Sequence, residues 1–296
     1  MVNKMARLTK REDWEKQYIN NINADQQSHV KRTIKDCFKK ILGGRILELS
    51  KSYDDYLLWD VVLEELLIDS CSNLDAIEIG SAPGKFMTRF YKEFGGNVFG
   101  VEYSEAGSKM NRRIFSENGI NPDNVISIDF FSKAFLNDNE NKYDIVISRG
   151  FIEHFTNVDD VIKKHYKLLK PNGLLIILIP NLCGIYGLWT KIFNPTQIPL
   201  HNINIMKLAN YRQLFNDSYL KSIRCSYFGT FSFWLFTSPP ERRCVNRFIK
   251  ILLYVQRMLN IMFRLVFGKN GFETSIFSPN LIYIGNKKIQ DESNVE

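Results

Sequence analysis

The chain has 296 residues, 45% of them apolar and 24% charged, which excludes a disordered or fibrous protein and allows a full hydrophobic core. Its net charge of +7 is concentrated: residues 241–270 carry Arg242, Arg243, Arg247, Lys250, Arg257, Arg264 and Lys269 against Glu241 alone, so a body-wide nucleic-acid footprint is not supported. Cys37, Cys71, Cys183, Cys225 and Cys244 are scattered with no C-x-x-C pair, which argues against a zinc framework or a disulfide scaffold, and the polar start reads as no signal peptide and a cytoplasmic setting.

Residues 1–70 read as a helical N-terminal region, clearest at Val61 to Ile68. Arg45 to Leu49 looks like a cofactor strand but lacks the glycines that would have to follow. From 71 to 296 apolar runs and helical stretches alternate. Strands are predicted at Asp75 to Ile79, Asn97 to Val101, Val125 to Ile128, Tyr143 to Ser148, Leu174 to Ile179, Leu220 to Tyr227 and Leu281 to Gly285. Helices are predicted at Lys85 to Phe94, at about Ala106 to Ser116, from an Asn157 cap to about Leu169, at Lys207 to Phe215 and at Arg243 to Phe267. Lys170 to Gly173 reads as a turn. The pattern is α/β, a doubly wound Rossmann-like sheet with ligands expected beyond the carboxyl ends of its strands.

The crux is Asp75 to Phe90, DAIEIGSAPGKFMTRF: a strand, an acid, two glycines four apart, then a helix. Phe86 follows Lys85 where a P-loop needs a hydroxyl, and Ala82 stands where a dinucleotide fold needs its second glycine. A nucleoside cofactor without a phosphate requirement fits best. EIGSAPGKF resembles the glycine motif of class I S-adenosylmethionine-dependent methyltransferases, written E/D-x-G-x-G-x-G or looser, with a departure at Ala82. The resemblance covers about Leu74 to Asn181 and is nearest the broad small-molecule, type 11-like group. It implies a seven-stranded sheet, mostly parallel, whose antiparallel last strand closes the edge, and S-adenosyl-L-methionine as cofactor.

The resemblance also assigns residues. Glu78, Gly80, Ser81, Ala82 and Gly84 form the cofactor loop. Glu102, 22 residues beyond Gly80, is placed to accept both ribose hydroxyls, with Tyr103 beside it for the adenine. Asp129 would accept from the adenine amine, with Phe130 packed on the ring; both aromatics also suit a core. Ser148 and Arg149 would line the methionine end. LLKPNGLLIILIPN, after the fourth strand, resembles the helix end, turn and fifth strand of this group.

Methyl transfer from a sulfonium needs alignment and exclusion of water, and an oxygen acceptor benefits from a base. His154, in the FIEHF loop after the fourth strand, is the first candidate for that base and His201 the second; a loop histidine bonded to backbone is the alternative reading. The histidines look isolated, so no metal is expected. Residues 181–206 read as a lid insertion in which Tyr186, Trp189 and Phe193 either line an acceptor pocket or pack the insertion down. Residues 228–279 form an apolar, basic insertion. Its helix, 243–267, has too many charges to span a bilayer and reads as docked on the core, paired in a homodimer, or lying on an anionic membrane surface. The expected acceptor is a small molecule or lipid-linked group, at a hydroxyl oxygen of a sugar, quinone precursor or secondary metabolite; nucleic acid is not expected. An RNA or protein methyltransferase and a non-catalytic cofactor-binding scaffold are the alternatives.

Overall fold

The computed structural model describes residues 7–26, 48–67, 73–215 and 219–288. Helix α1 is Arg11–Gln26. Helix α2 begins at Tyr53–Tyr56, widens into a π-helical stretch at Leu57–Leu63 and ends as Glu64–Leu67. Cys37, Cys71, Ile68 and the residues 45–47 of the decoy strand lie outside the described residues; Glu48 and Leu49 are helical.

Seven strands form one sheet in the order β3-β2-β1-β4-β5-β7-β6. They are β1 Asp75–Ile79, β2 Asn97–Val101, β3 Val125–Ile126, β4 Tyr143–Arg149, β5 Leu169–Pro180, β6 Leu220–Phe228 and β7 Asn280–Lys287. β1 to β5 are parallel to one another, and β7 runs antiparallel to both β5 and β6. The chain order reverses between β1 and β4, which leaves the crevice above their carboxyl ends for a ligand.

Burial explains the strand order. β5 and β7 are buried along most of their length, as inner strands of a two-sided sheet must be. The expectation that β7 closes the edge is corrected: β7 lies inside and β6 is the edge, because β6 has a half-exposed middle that suits an uncovered side. Two further expectations change. Lys170 to Gly173 is drawn into β5, with a register irregularity opposite Tyr143 and Ile145 and Asn172 at φ 61°. β3 ends at Ile126 because Ile128 N–H turns back to the Ile126 carbonyl.

Alternation along β1 divides the core. Ile77 and Ile79 join Val146, Ile177 and Tyr211 on one face; Ala76 joins Val98, Ile145 and Ile176 on the other, beneath Trp59, Phe86 and Phe90. Helices α3 Lys85–Phe94, α4 Glu105–Glu117, α5 Lys133–Asp138 and α6 Val158–Leu168 cover the parallel half. Ser104 caps α4 by accepting from Gly107 N–H at 3.1 Å. Asn157 occupies the N-cap position of α6 without a side-chain bond to it.

The insertion after β5 carries α7 Ile185–Phe193 and short 3-10 turns at Pro195–Leu200 and Ile203–Met206, followed by α8 Leu208–Gln213. Tyr186 is fully buried: its hydroxyl donates to the Phe277 carbonyl at 2.7 Å and accepts from Ser232 N–H at 2.9 Å. Trp189 stacks on Phe236 at 4.2 Å and lies 4.2 Å from Phe193, and its indole N–H donates to the Thr237 carbonyl. These three aromatics therefore pack the insertion against residues 231–237 rather than line a pocket. Helix α9, Arg243–Phe267, docks by the face that carries Ile249, Gln256, Asn260 and Phe263. Its opposite face exposes Ile251, Tyr254, Met258, Leu265 and Val266. No helix among the described residues is long and apolar enough to cross a membrane.

Candidate active site

A cavity of about 240 Å³ lies over the carboxyl ends of β1 to β4. Its floor is the loop after β1. Gly80 and Gly84 have φ of 73° and 91°, a left-handed backbone that glycine adopts without strain. The loop is tied from behind: Ser81 Oγ accepts from Asn111 Nδ2 at 2.6 Å, and a Cβ on Gly84 would sit 2.1 Å from Asn111 Oδ1. Ser81 and Gly84 thus shape the loop, while Gly80, Ala82 and Pro83 face the cavity.

Each following strand adds a polar group and at least one ring. Glu102 follows β2, buried in the wall, with Oε1 accepting from Ser104 N–H at 2.8 Å. Burial pushes its carboxyl up to about 7 against the pull of that bond. Tyr103 stands beside it. After β3 come Ile128, Asp129, Phe130 and Phe131. Arg149 ends β4 and donates through Nε to Glu78 Oε1 at 2.9 Å. Glu78 is behind the wall, its carboxyl raised by burial despite Arg149, and its Oε2 has no hydrogen-bond partner. Ser148 is also buried behind the wall with an unpartnered Oγ.

The turn Ile152–His154 presents His154 to the cavity. Its Nδ1 lies 2.8 Å from the Leu200 carbonyl. A carbonyl only accepts, so Nδ1 carries the proton and Nε2 keeps the lone pair. Burial, aided by His201, pushes His154 down to about 4. His201 does not reach the cavity wall; its Nδ1 bonds the Gln197 carbonyl at 2.8 Å and its ring centre is 4.7 Å from that of His154. Glu153 points inward, 1% exposed, with Oε2 unbonded. The histidines are therefore not isolated, as the sequence suggested: one ligand atom of each of Glu153, His154 and His201 lies within 4.8 Å of the others. His165 is a core residue, bonded to the Val161 carbonyl and packed on Phe130.

The roof comes from the N-terminal segment, which sequence reasoning left outside the site. Arg7, Thr9, Trp14, Gln17 and Tyr18 all line the cavity. Arg7 pairs with Phe155 in a β-bridge, and Leu8 N–H donates to the His154 carbonyl at 2.8 Å. The Arg7 guanidinium donates to both Asp129 oxygens at 2.5 and 2.6 Å and lies over the Tyr103 and Phe131 rings. Asp129, expected to receive an adenine amine, is here engaged by Arg7. Glu15 accepts from the Glu105 and Ala106 N–H groups, adding its charge to the positive end of α4. One signal for this roof was present: Trp14 and Tyr18 stand four apart in a stretch that is otherwise polar, as a single sticky face of a helix would.

The seven-stranded order, the glycine loop and a carboxylate at the end of β2 define the class I S-adenosylmethionine-dependent methyltransferase fold. A family model described as a methyltransferase domain matches residues 28–228, and the chain belongs to that family. Its fold is that of a catalytically competent S-adenosylmethionine-dependent methyltransferase. Over 128 residues it is 28% identical to EEF1A lysine methyltransferase 2 of Danio rerio, a match spanning 40% of this chain and 50% of that protein, about half the relative's length. Two solved structures share the fold. One is described as a candidate sarcosine dimethylglycine methyltransferase of Galdieria sulphuraria, with TM-score 0.51, 17% identity and coverage of 79% of this chain and 85% of that one. The other is geranyl diphosphate C-methyltransferase of Streptomyces coelicolor, with TM-score 0.50, 14% identity and coverage of 77% and 79%.

The residues present fit the cofactor. A buried carboxylate, Glu102, faces the cavity with hydrogen-bonding capacity beyond its bond to Ser104, and Ile128 and Phe130 offer an apolar wall for a purine.

Proposed function

We propose that this enzyme methylates an oxygen of a small or lipid-linked acceptor enclosed beneath the N-terminal roof. The cofactor supplies an electrophilic methyl on a sulfonium. Glu102 would hold the ribose hydroxyls, Asp129 and Phe130 the adenine, and Gly80 with Arg149 the amino-acid end. The roof excludes water and fixes the acceptor in line with the methyl. Glu153 and His154 follow β4 and meet His201 from the insertion, and His154, which lines the cavity, would be the group to take an acceptor's proton. The observation that supports the reading is the roof: Trp14, Gln17 and Tyr18 of α1 line one side of a cavity of about 240 Å³, a size that suits a small group rather than a nucleic-acid duplex. An acceptor screen with labelled cofactor tests it, with free and lipid-linked sugars, phenols and a lysine-bearing protein as arms. Labelling of an oxygen is expected. Labelling of lysine alone would replace this reading with the one suggested by the name of the Danio rerio relative.

The second insertion favours delivery from a membrane surface on the cytoplasmic side. The outward face of α9 is apolar, Leu188, Ile192 and Trp234 are also exposed, and seven basic residues accompany the helix. Such a face suits an anionic bilayer, with basic side chains at the headgroups. The parent protein should co-sediment with phosphatidylserine vesicles and lose this when the exposed Arg247, Lys250 and Arg257 become Glu; Arg264 packs on Tyr56 and is left in place. A dimer in solution with no vesicle binding would assign the face to a second copy instead.

A further inference from the structure

We infer that Glu153, His154 and His201 form a binding site for a divalent transition-metal cation at the side of the methyl-transfer cavity. Two segments distant in sequence are stitched together to make it. The Leu200 carbonyl takes the His154 Nδ1 proton, Asn202 N–H donates to the Glu153 carbonyl at 2.7 Å, and Asn202 Nδ2 donates to the Phe155 carbonyl at 3.1 Å. His201 is held in turn by the Gln197 carbonyl. A histidine whose Nδ1–H is bound by a carbonyl presents Nε2 as a fixed lone pair, the usual arrangement behind metal-ligating imidazoles.

The third donor is unexplained by the protein alone. Glu153 is buried, its Oε2 accepts nothing, and its nearest basic atom is His154 Nε2 at 3.9 Å from Oε1. A buried carboxylate oxygen left without a donor is costly unless the group takes up a proton or a cation. Two imidazoles and one carboxylate select zinc or a neighbouring first-row ion over calcium or magnesium. With metal–ligand bonds of about 2.1 Å in a tetrahedral site, ligand atoms sit about 3.4 Å apart, so the cluster contracts slightly on binding. Of the three ligands only His154 lines the cavity, so the site lies behind its wall, one imidazole away from the space for an acceptor. A cation held by Glu153, His154 and His201 would acidify a hydroxyl that reached it, the proton going to solvent, and that oxygen would take the methyl as the S–C bond breaks. That catalytic use rests on the oxygen-acceptor reading; the site itself does not.

The test uses untagged, chelator-stripped full-length protein without acceptor. Zinc is titrated calorimetrically against a competing chelator, and Co²⁺ is followed by visible absorption. One equivalent is expected to bind, with intense low-symmetry Co²⁺ bands and a raised melting temperature. Glu153→Gln and His201→Gln should each weaken binding about 100-fold, while Cys183→Ser, which removes a nearby exposed thiol, should not. If one ligand variant fails to fold, the other carries the comparison. Absence of stoichiometric binding, or binding untouched by both ligand variants, overturns the site. Zinc binding together with lysine-only methylation leaves the site standing and fails the acceptor reading. Oxygen methylation at full rate by protein that binds no zinc does the reverse.

Discussion

Glu102 offers a direct test of the cofactor geometry, because its burial couples binding to pH. Its carboxyl is raised to about 7 by desolvation, and only the ionised form accepts from two ribose hydroxyls. The sign follows. Below pH 7 the group is protonated, and cofactor binding must first expel that proton. Affinity should fall about tenfold per pH unit, and about 30-fold between pH 8 and pH 5.5, or about 2 kcal/mol. His154 titrates near 4, outside this window. Calorimetry in buffers of different ionisation enthalpy would show close to one proton released per cofactor bound at pH 6. Glu102→Gln keeps the acceptor for Ser104 N–H but loses the charge. It should bind about 10- to 100-fold more weakly at pH 8, with no slope below neutrality. A flat profile for the parent, or an equal slope in the variant, would refute the ribose role of Glu102. The apo protein should show the opposite trend: with the folded pKa above the unfolded value, the stability that protonated Glu102 and Asp54 contribute is lost as pH rises through about 7.

Three further outcomes follow from the packing. Gly84→Ala places a methyl group against Asn111 at a φ of 91°, and should cost about 2–4 kcal/mol in denaturant unfolding. Asn111→Ala in the same chain should not restore stability, since the backbone strain remains. Tyr186→Phe removes a hydroxyl that bridges Phe277 and Ser232; a loss of about 1–2 kcal/mol with unchanged cofactor affinity is expected, and a change in that affinity would place Tyr186 in the pocket after all. Trp14 is the one of the four tryptophans that lines the cavity, so cofactor binding should change the protein's fluorescence and Trp14→Phe should abolish the change.

Periodicity and glycine chemistry are local properties, and most of the fold was legible through them. β1, β2, α3 and α9 stand at the residues expected, because two-sided burial makes uninterrupted apolar strands and a glycine pair can end only one kind of turn. Acids at strand ends could likewise be placed near the pocket, since parallel topology carries every carboxyl end to one side of the sheet. Which of them reach the ligand was not legible. Glu78 lies within β1 and meets Arg149 behind the wall, whereas Glu102 follows the last residue of β2 and meets Ser104 at the cavity.

The sequence by itself determined the cofactor class, through Ala82, Phe86 and the acid that follows β2. Tertiary structure alone decided what surrounds the cofactor. It brought Arg7 to Asp129, 122 residues away, laid Trp14 and Tyr18 over the pocket, and set His201 beside His154. It also turned Tyr186 and Trp189 of the first insertion inward, onto residues 231–237 and Phe277. Contacts of that range depend on how packed layers meet, and a side chain's own neighbours in the chain carry no record of them.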